Sequence, residues 1–206
     1  MNTINDFHGA YFFLSNFYEK PFWYNGQKWK TVEHAFQAAK CIDVAEQKKI
    51  HEAKTPGDAK KFGRKALLIP GWDEKRIDVM RNCLLMKFMQ NDDLLVGLLG
   101  TGDVELVEGN IWHDNYWGDC HCDKCKNRPG ENMLGTMLME IRNNARHGNY
   151  IWCVRNLNNG GEITQYFKTR DRALAFIATE ANVNRTTLVN PYECNNWRLD
   201  VICLTE

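Results

Sequence analysis

The sequence predicts an α+β fold, with a mostly helical main domain and a small C-terminal α+β appendage. Two observations carry this. Between residues 31 and 146, apolar residues recur at helical spacing in several separate runs bounded by turn chemistry. After Gly148 the pattern changes to short strand-like runs around one helical run. The boundary therefore falls near Gly148: residues 1–148 form the main domain and residues 149–206 an appendage with no assigned role.

Taken in order, residues 1–30 alternate aromatic and polar groups, and YNGQKW (24–29) reads as a short β-hairpin. A helix follows, with Thr31 as N-cap, Glu33 in its first turn and Val32, Ala35, Phe36 and Ala39 as the apolar face. TPGDAKKFGRKAL restarts a helix near Thr55, with Pro56 in the first-turn position that suits it. Residues 72–91 show strong helical periodicity in Ile77, Met80, Leu84, Leu85 and Phe88, and a short helix spans 94–99. VELVEG (104–109) reads as a strand, 111–131 as a long polar and aromatic loop, and 132–146 as a helix stopped by His147-Gly148. In the appendage, YIWCVRNL, EITQYF and WRLDVICL read as strands and RDRALAFIATEA as a helix, with NNGG (158–161) as a hairpin turn.

The chain has 206 residues, enough to bury a core without disulfide staples. Lysine plus arginine equals aspartate plus glutamate, at 26 each, so global charge gives no case for nucleic acid. No apolar run is long enough for a membrane helix, and the N-terminus MNTINDFHGAYFF lacks a signal peptide's basic and apolar regions. The expected location is cytoplasmic, with the eight cysteines reduced.

Four groups of residues can carry chemistry. Glu33, Gln37 and Lys40 stand at i, i+4 and i+7 and share a helix face. If that face lines a cleft, Lys40 is desolvated and its pKa falls; the ordinary alternative is a solvated Glu–Lys pair. The loop WHDNYWGDCHCDKCKNRPGENMLG (112–135) is too long for a mere connector. Its Tyr116 and Trp117 suit stacking, and Asp114 and Asp119 suit sugar contacts or acid–base work, although buried aromatics alone would also pin such a loop. Cys120, Cys122 and Cys125 have zinc-compatible spacing, with the fourth ligand left to His113 or a distant cysteine; reduced, metal-free thiols are the alternative. KKFGRK (60–65) offers a phosphate contact, against a solvated charge run as the commoner case.

These segments resemble the NADAR family, also called YbiA-like. The resemblance rests on LSNFY (14–18), WKTVEHAFQAAK (29–40), AKKFGRKA (59–66), VMRNCLLMKF (79–88) and YWGDCHCDKCKNRPGENMLGTMLMEIR (116–142), in the family's order over roughly residues 7–146. The joint pattern W-x-x-x-E-H-x-F-Q-x-x-K with N-Y-W-G-D and G-x-N-x-L-G is specific. Two departures stand out: the cysteine-bearing insertion occurs in only part of the family, and nothing transfers to the segment after Gly148.

The resemblance implies a mostly helical α+β fold and N-glycosidase activity on C–N bonds between a ribose-type sugar and a base. The preferred expectation is ADP-ribosylated guanine in DNA or RNA, with removal of the modification. The alternative is ribosylaminopyrimidine phosphate, an intermediate of riboflavin synthesis. Different classes are a non-catalytic module binding ADP-ribose or NAD derivatives, and a zinc-stabilised nucleic-acid-binding protein. The implied partners are an ADP-ribose or ribosyl-phosphate substrate and a toxin–antitoxin or phage-conflict system, with no membrane. Glu33, Lys40 and Asp119 are the expected catalytic residues. The first stabilises an oxocarbenium-like state. Water activated by Glu33 or Asp119 attacks, or Lys40 forms a Schiff base with the opened sugar. Asn16, Gln37, Asp114 and Asn132 are expected sugar contacts, Arg64 a phosphate contact and Trp117 a stacking platform. No cofactor is expected to be needed for catalysis, and a structural zinc at Cys120, Cys122 and Cys125 is the candidate metal.

Overall fold

Thr31 turns an extended chain into a helix: its backbone is β-like, and its Oγ1 accepts the amide of His34 at 3.3 Å. The computed structural model describes residues 3–125, 127–181, 193–194 and 197–203. They divide into two compact units, one of Met1–Tyr24 and Lys28–Asn143, the other of Asn25–Gln27 and Asn144–Glu206.

The first unit opens with β1 (Thr3–Ile4), a 3-10 helix (Gly9–Leu14), and the hairpin strands β2 (Phe22–Tyr24) and β3 (Gln27–Trp29). The helices are α1 (Val32–Ala39), α2 (Val44–His51), α3 (Pro56–Gly63), α4 (Trp72–Gln90) and α5 (Asp92–Gly100). After the two-residue strands β4 (Glu105–Leu106), β5 (Gly109–Asn110) and β6 (Asp119–Cys120) comes α6 (Met133–Arg146), whose last turn belongs to the second unit. β1 pairs with β4, and β5 with β6, both parallel. The expected strand at 104–109 is thus two short strands around a kink, and that kink carries Glu108.

α1 lies at the centre, packed by α2, α3 and α4. Every residue from Val32 to Ala38 is buried, polar ones included. An all-round buried helix needs its polar side chains compensated. His34 shows how: Nε2 faces the Ala53 carbonyl at 3.2 Å, and Nδ1 lies 2.7 Å from the Thr31 hydroxyl. The Nε2–H tautomer satisfies both, and burial holds the imidazole's pKa below its usual value. Leu84 and Phe88 of α4 and Leu134, Met137 and Leu138 of α6 are buried in the core. α2 was not expected from its sequence, since only Ile50 of its residues is buried.

The second unit has β7 (Tyr150–Asn156), β8 (Glu162–Phe167), α7 (Arg170–Glu180), β9 (Glu193–Cys194) and β10 (Trp197–Cys203). They form one antiparallel sheet of order β8-β7-β10-β9. Phe176 of α7 meets Phe167 and Trp197 with ring centroids 5.3 and 5.8 Å apart, joining helix to sheet. No helix among the described residues is long and apolar enough to cross a membrane.

Candidate active site

Three pieces of the first unit surround a cavity of about 380 Å³: α1, α3, and the chain from Glu108 to Trp117, with the 3-10 segment closing one side. Aromatic rings make much of the wall, among them Phe36, which meets Trp117 edge-on at 5.5 Å. Lys60 and Arg64, four residues apart on and just after α3, supply cations to the same space.

Glu33 is 5% exposed. Its Oε1 accepts Gln37 Nε2 at 2.9 Å, one turn along α1. Burial raises its pKa, and Lys60, the Gln37 hydrogen bond, Lys40 and Arg64 oppose the rise. The carboxylate thus has cations and a donor to hold its charge.

Glu108, on the kink between β4 and β5, has carboxylates among its neighbours as well as Lys60. Burial is the largest cause of a pKa pushed up to about 8, and the charges of Asp114 and then Glu33 add to it, with Lys60 opposing. Burial raises both carboxyls in this cavity; at Glu33 the neighbouring cations oppose the rise, and at Glu108 the neighbouring carboxylates add to it. Glu108 lines the cavity and was not singled out from the sequence.

The kink is held by Asn132. Its Oδ1 accepts the Glu108 amide at 3.0 Å and its Nδ2 donates to the Leu106 carbonyl at 2.8 Å. Asn132 has φ +49°, a left-handed conformation that asparagine tolerates better than most residues. A Cβ at Gly135 would meet the Leu106 carbonyl oxygen, so α6 approaches the kink only because glycine stands there. The G-x-N-x-L-G stretch therefore places Glu108.

The loop before α6 is wound on its own side chains. Asp114 Oδ1 accepts the amides of Tyr116 (3.2 Å) and Trp117 (2.9 Å), an Asx turn. Buried Asn110 donates to the Asp114 carbonyl at 2.7 Å. The amides of Met133 and Leu134, with no carbonyl inside their own helix, donate to the carbonyls of Tyr116 and Trp117 at 3.1 and 2.9 Å. Trp117 is thereby fixed against Phe36.

Of the residues expected from the sequence, Glu33, Asn16, Gln37, Arg64, Asp114 and Trp117 line the cavity. Asn16 Oδ1 and Gln37 Oε1 are buried with no hydrogen-bond partner among the described residues, and both residues face this space. Lys40, Asp119 and Asn132 are not in the lining. Lys40 caps the C-terminal end of α1; burial lowers its pKa, while Cys41 and Glu33 oppose. Asp119 Oδ1 accepts the Gly130 amide at 2.8 Å and closes the base of the loop. Glu108 and Asn110 were not singled out, and Lys60 was read only as part of the KKFGRK cluster. Lys60 had a legible signal, its i, i+4 spacing with Arg64.

His113 Nδ1 lies 3.4 Å from Cys125 Sγ and 3.2 Å from Cys122 Sγ. The His113 amide donates to Cys120 Sγ at 3.3 Å. These four ligand atoms all lie within 4.8 Å of one another.

The NADAR domain profile matches residues 5–146. The N-glycosidase YbiA of Shigella flexneri serotype 5b is 38% identical over 146 residues, covering 68% of this chain and 88% of the relative. A riboflavin biosynthesis protein of Vibrio vulnificus is 36% identical over 132 residues, covering 63% of this chain and 34% of its own length. The solved structure of Escherichia coli YbiA superposes with a TM-score of 0.61 at 35% identity, covering 71% of this chain and 88% of that one.

Proposed function

This chain belongs to the NADAR domain family, and from that premise we infer that it is an N-glycosidase acting on the C–N bond between a phosphorylated ribose and a base. The observation that carries this reading is the Glu33–Glu108 pair in one cavity with Lys60 and Arg64. N-glycoside cleavage needs two things at once. Positive charge builds on the sugar, and the departing base must receive a proton or a hydrogen bond.

Glu33 serves the first need. Burial raises its pKa and Lys60, Gln37, Lys40 and Arg64 oppose that rise; as the carboxylate it stabilises the oxocarbenium-like sugar and takes a proton from the attacking water. Glu108 serves the second, since a carboxyl whose pKa is about 8 still carries its proton at neutral pH. The C–N bonding pair goes to the base nitrogen, which takes the Glu108 proton; water oxygen bonds to the anomeric carbon and loses its proton to Glu33. Asn16 Oδ1 and Gln37 Oε1 accept from ribose hydroxyls, and Lys60 and Arg64 meet the phosphate.

Lys40 has a smaller part here than the sequence suggested. Its position outside the lining favours direct attack by water over a Schiff base. A pure binding module is the weaker reading, because a buried Glu33 and a half-buried Glu108 add desolvation cost that sugar binding alone does not require.

The finer substrate has two readings. ADP-ribosylated guanine in nucleic acid suits the exposed Trp112 on the lining, which offers a stacking face to a base that stays attached to its strand. Ribosylaminopyrimidine phosphate is favoured by the riboflavin-synthesis relative and by the Lys60–Arg64 pair, which suits one phosphate.

The test is incubation of purified protein with each substrate, products read by mass spectrometry, beside Glu33→Gln and Glu108→Gln proteins. Release of free base by the parent chain and its loss in both variants is the expected result. No release from either substrate would overturn the reading.

A further inference from the structure

We propose that His113, Cys120, Cys122 and Cys125 bind one zinc ion, and that the metal clips the loop carrying Asp114 and Trp117 to β6. The four ligand atoms come from three places in the chain: a loop residue, a strand residue and the C-x-x-C turn. They nevertheless converge to within 4.8 Å of one another. A tetrahedral zinc with bonds of ~2.3 Å to sulfur and ~2.0 Å to nitrogen holds its ligands roughly 3.5–3.8 Å apart. The His113 Nδ1 contacts of 3.2 and 3.4 Å match that scale.

Hydrogen bonding among thiols explains this less well. A neutral imidazole Nδ1 has a single lone pair, yet two sulfurs face it. His113 also holds φ +68°, an unfavourable conformation for a residue with a Cβ, so something must repay the strain. The His113 amide aimed at Cys120 Sγ is the kind of outer-shell bond that supports a metal thiolate. The Cys125 amide bonded to the Cys122 carbonyl at 2.9 Å closes the turn that brings its two thiols together.

Three sulfurs and one imidazole select zinc over the hard cations, which prefer oxygen. Four protein ligands also fill a tetrahedral shell, so the site is structural. His113 immediately precedes Asp114, which carries the Asx turn to Trp117. The metal would thus fix one edge of the cavity without entering the reaction.

The test reads metal, so it succeeds or fails independently of the proposed activity. Reduced protein purified without added metal is expected to contain about one equivalent of zinc by elemental analysis. Cobalt exchanged into it should show the visible bands of tetrahedral cobalt and sulfur-to-cobalt charge transfer. Cys122→Ser should lose most of the metal, whereas His121→Ala, the neighbour outside the cluster, should keep it. If Cys122→Ser fails to fold, titrating the parent protein with an organomercurial should release one zinc as the thiols react. Below about 0.1 equivalent of zinc with no cobalt bands, or His121→Ala losing metal as Cys122→Ser does, would overturn the proposal.

Discussion

Asn132 accepts the backbone amide of Glu108 on its side-chain oxygen, at 3.0 Å, and so holds the acid of the proposed pair by its main chain. Asn132→Ala removes this bond and the one to Leu106, letting the kink relax. We expect kcat to fall at least ~10-fold with KM little changed, because the acid is misplaced while the sugar contacts remain. Steady-state kinetics check this. A variant that changes KM alone would assign Asn132 to substrate binding.

Glu33→Gln keeps the shape and the helix and removes the charge. The expected loss in turnover is ~100-fold or more, with little change in thermal stability. Turnover within a few-fold of the parent protein would remove Glu33 from the chemistry.

Lys40 separates two routes. With direct attack by water, borohydride added during turnover traps no adduct, and Lys40→Arg retains most activity. Peptide mass mapping reads the first and a rate assay the second. A reduced adduct on Lys40 would establish the Schiff-base route.

Lys87 is buried, and its Nζ donates to the carbonyls of Phe13 and Ser15 at 2.7 and 2.9 Å. Burial draws its pKa down to about 7, and charged or neutral the amine has hydrogens for both bonds. It ties down the turn that leads to Asn16 in the cavity. Lys87→Met leaves two carbonyls without their donor and should cost ~2–4 kcal/mol in denaturant unfolding. An unchanged unfolding midpoint would contradict this.

Much of the site was legible because α1 is unusual in its own sequence. Glu33 and Gln37 on a helix otherwise apolar enough to be buried demand compensation, and the structure buries both. Arg64, Asp114 and Trp117 stood out for charge and for the loop's length. Glu108 did not, because VELVEG alternates like a strand and nothing local marks the kink. That kink is made by Asn132, 24 residues away. Asp119 was expected in the site from the loop's composition and the family resemblance, and Asn132 from the resemblance; the side chains of both accept backbone amides. α2 was missed because it has almost no apolar face, and only packing against α1 and α3 reveals it.

The central claim is the division of labour between Glu33 and Glu108, and the pH dependence of kcat/KM reads it most directly. Glu108 titrates near 8 in the folded chain against an ordinary value of 4.5. Between these values the folded protein holds a proton that the unfolded chain has released. The stabilising contribution of that protonated carboxyl is therefore full below about 4.5 and lost as pH rises through about 8. As general acid it must be protonated, so activity should fall on the alkaline side with an apparent pKa near 8, and on the acid side as Glu33 gains a proton. In Glu108→Gln, the alkaline limb should vanish, the acid limb should remain, and the plateau should drop ~100-fold or more. An alkaline limb that persists unchanged in Glu108→Gln would contradict the account.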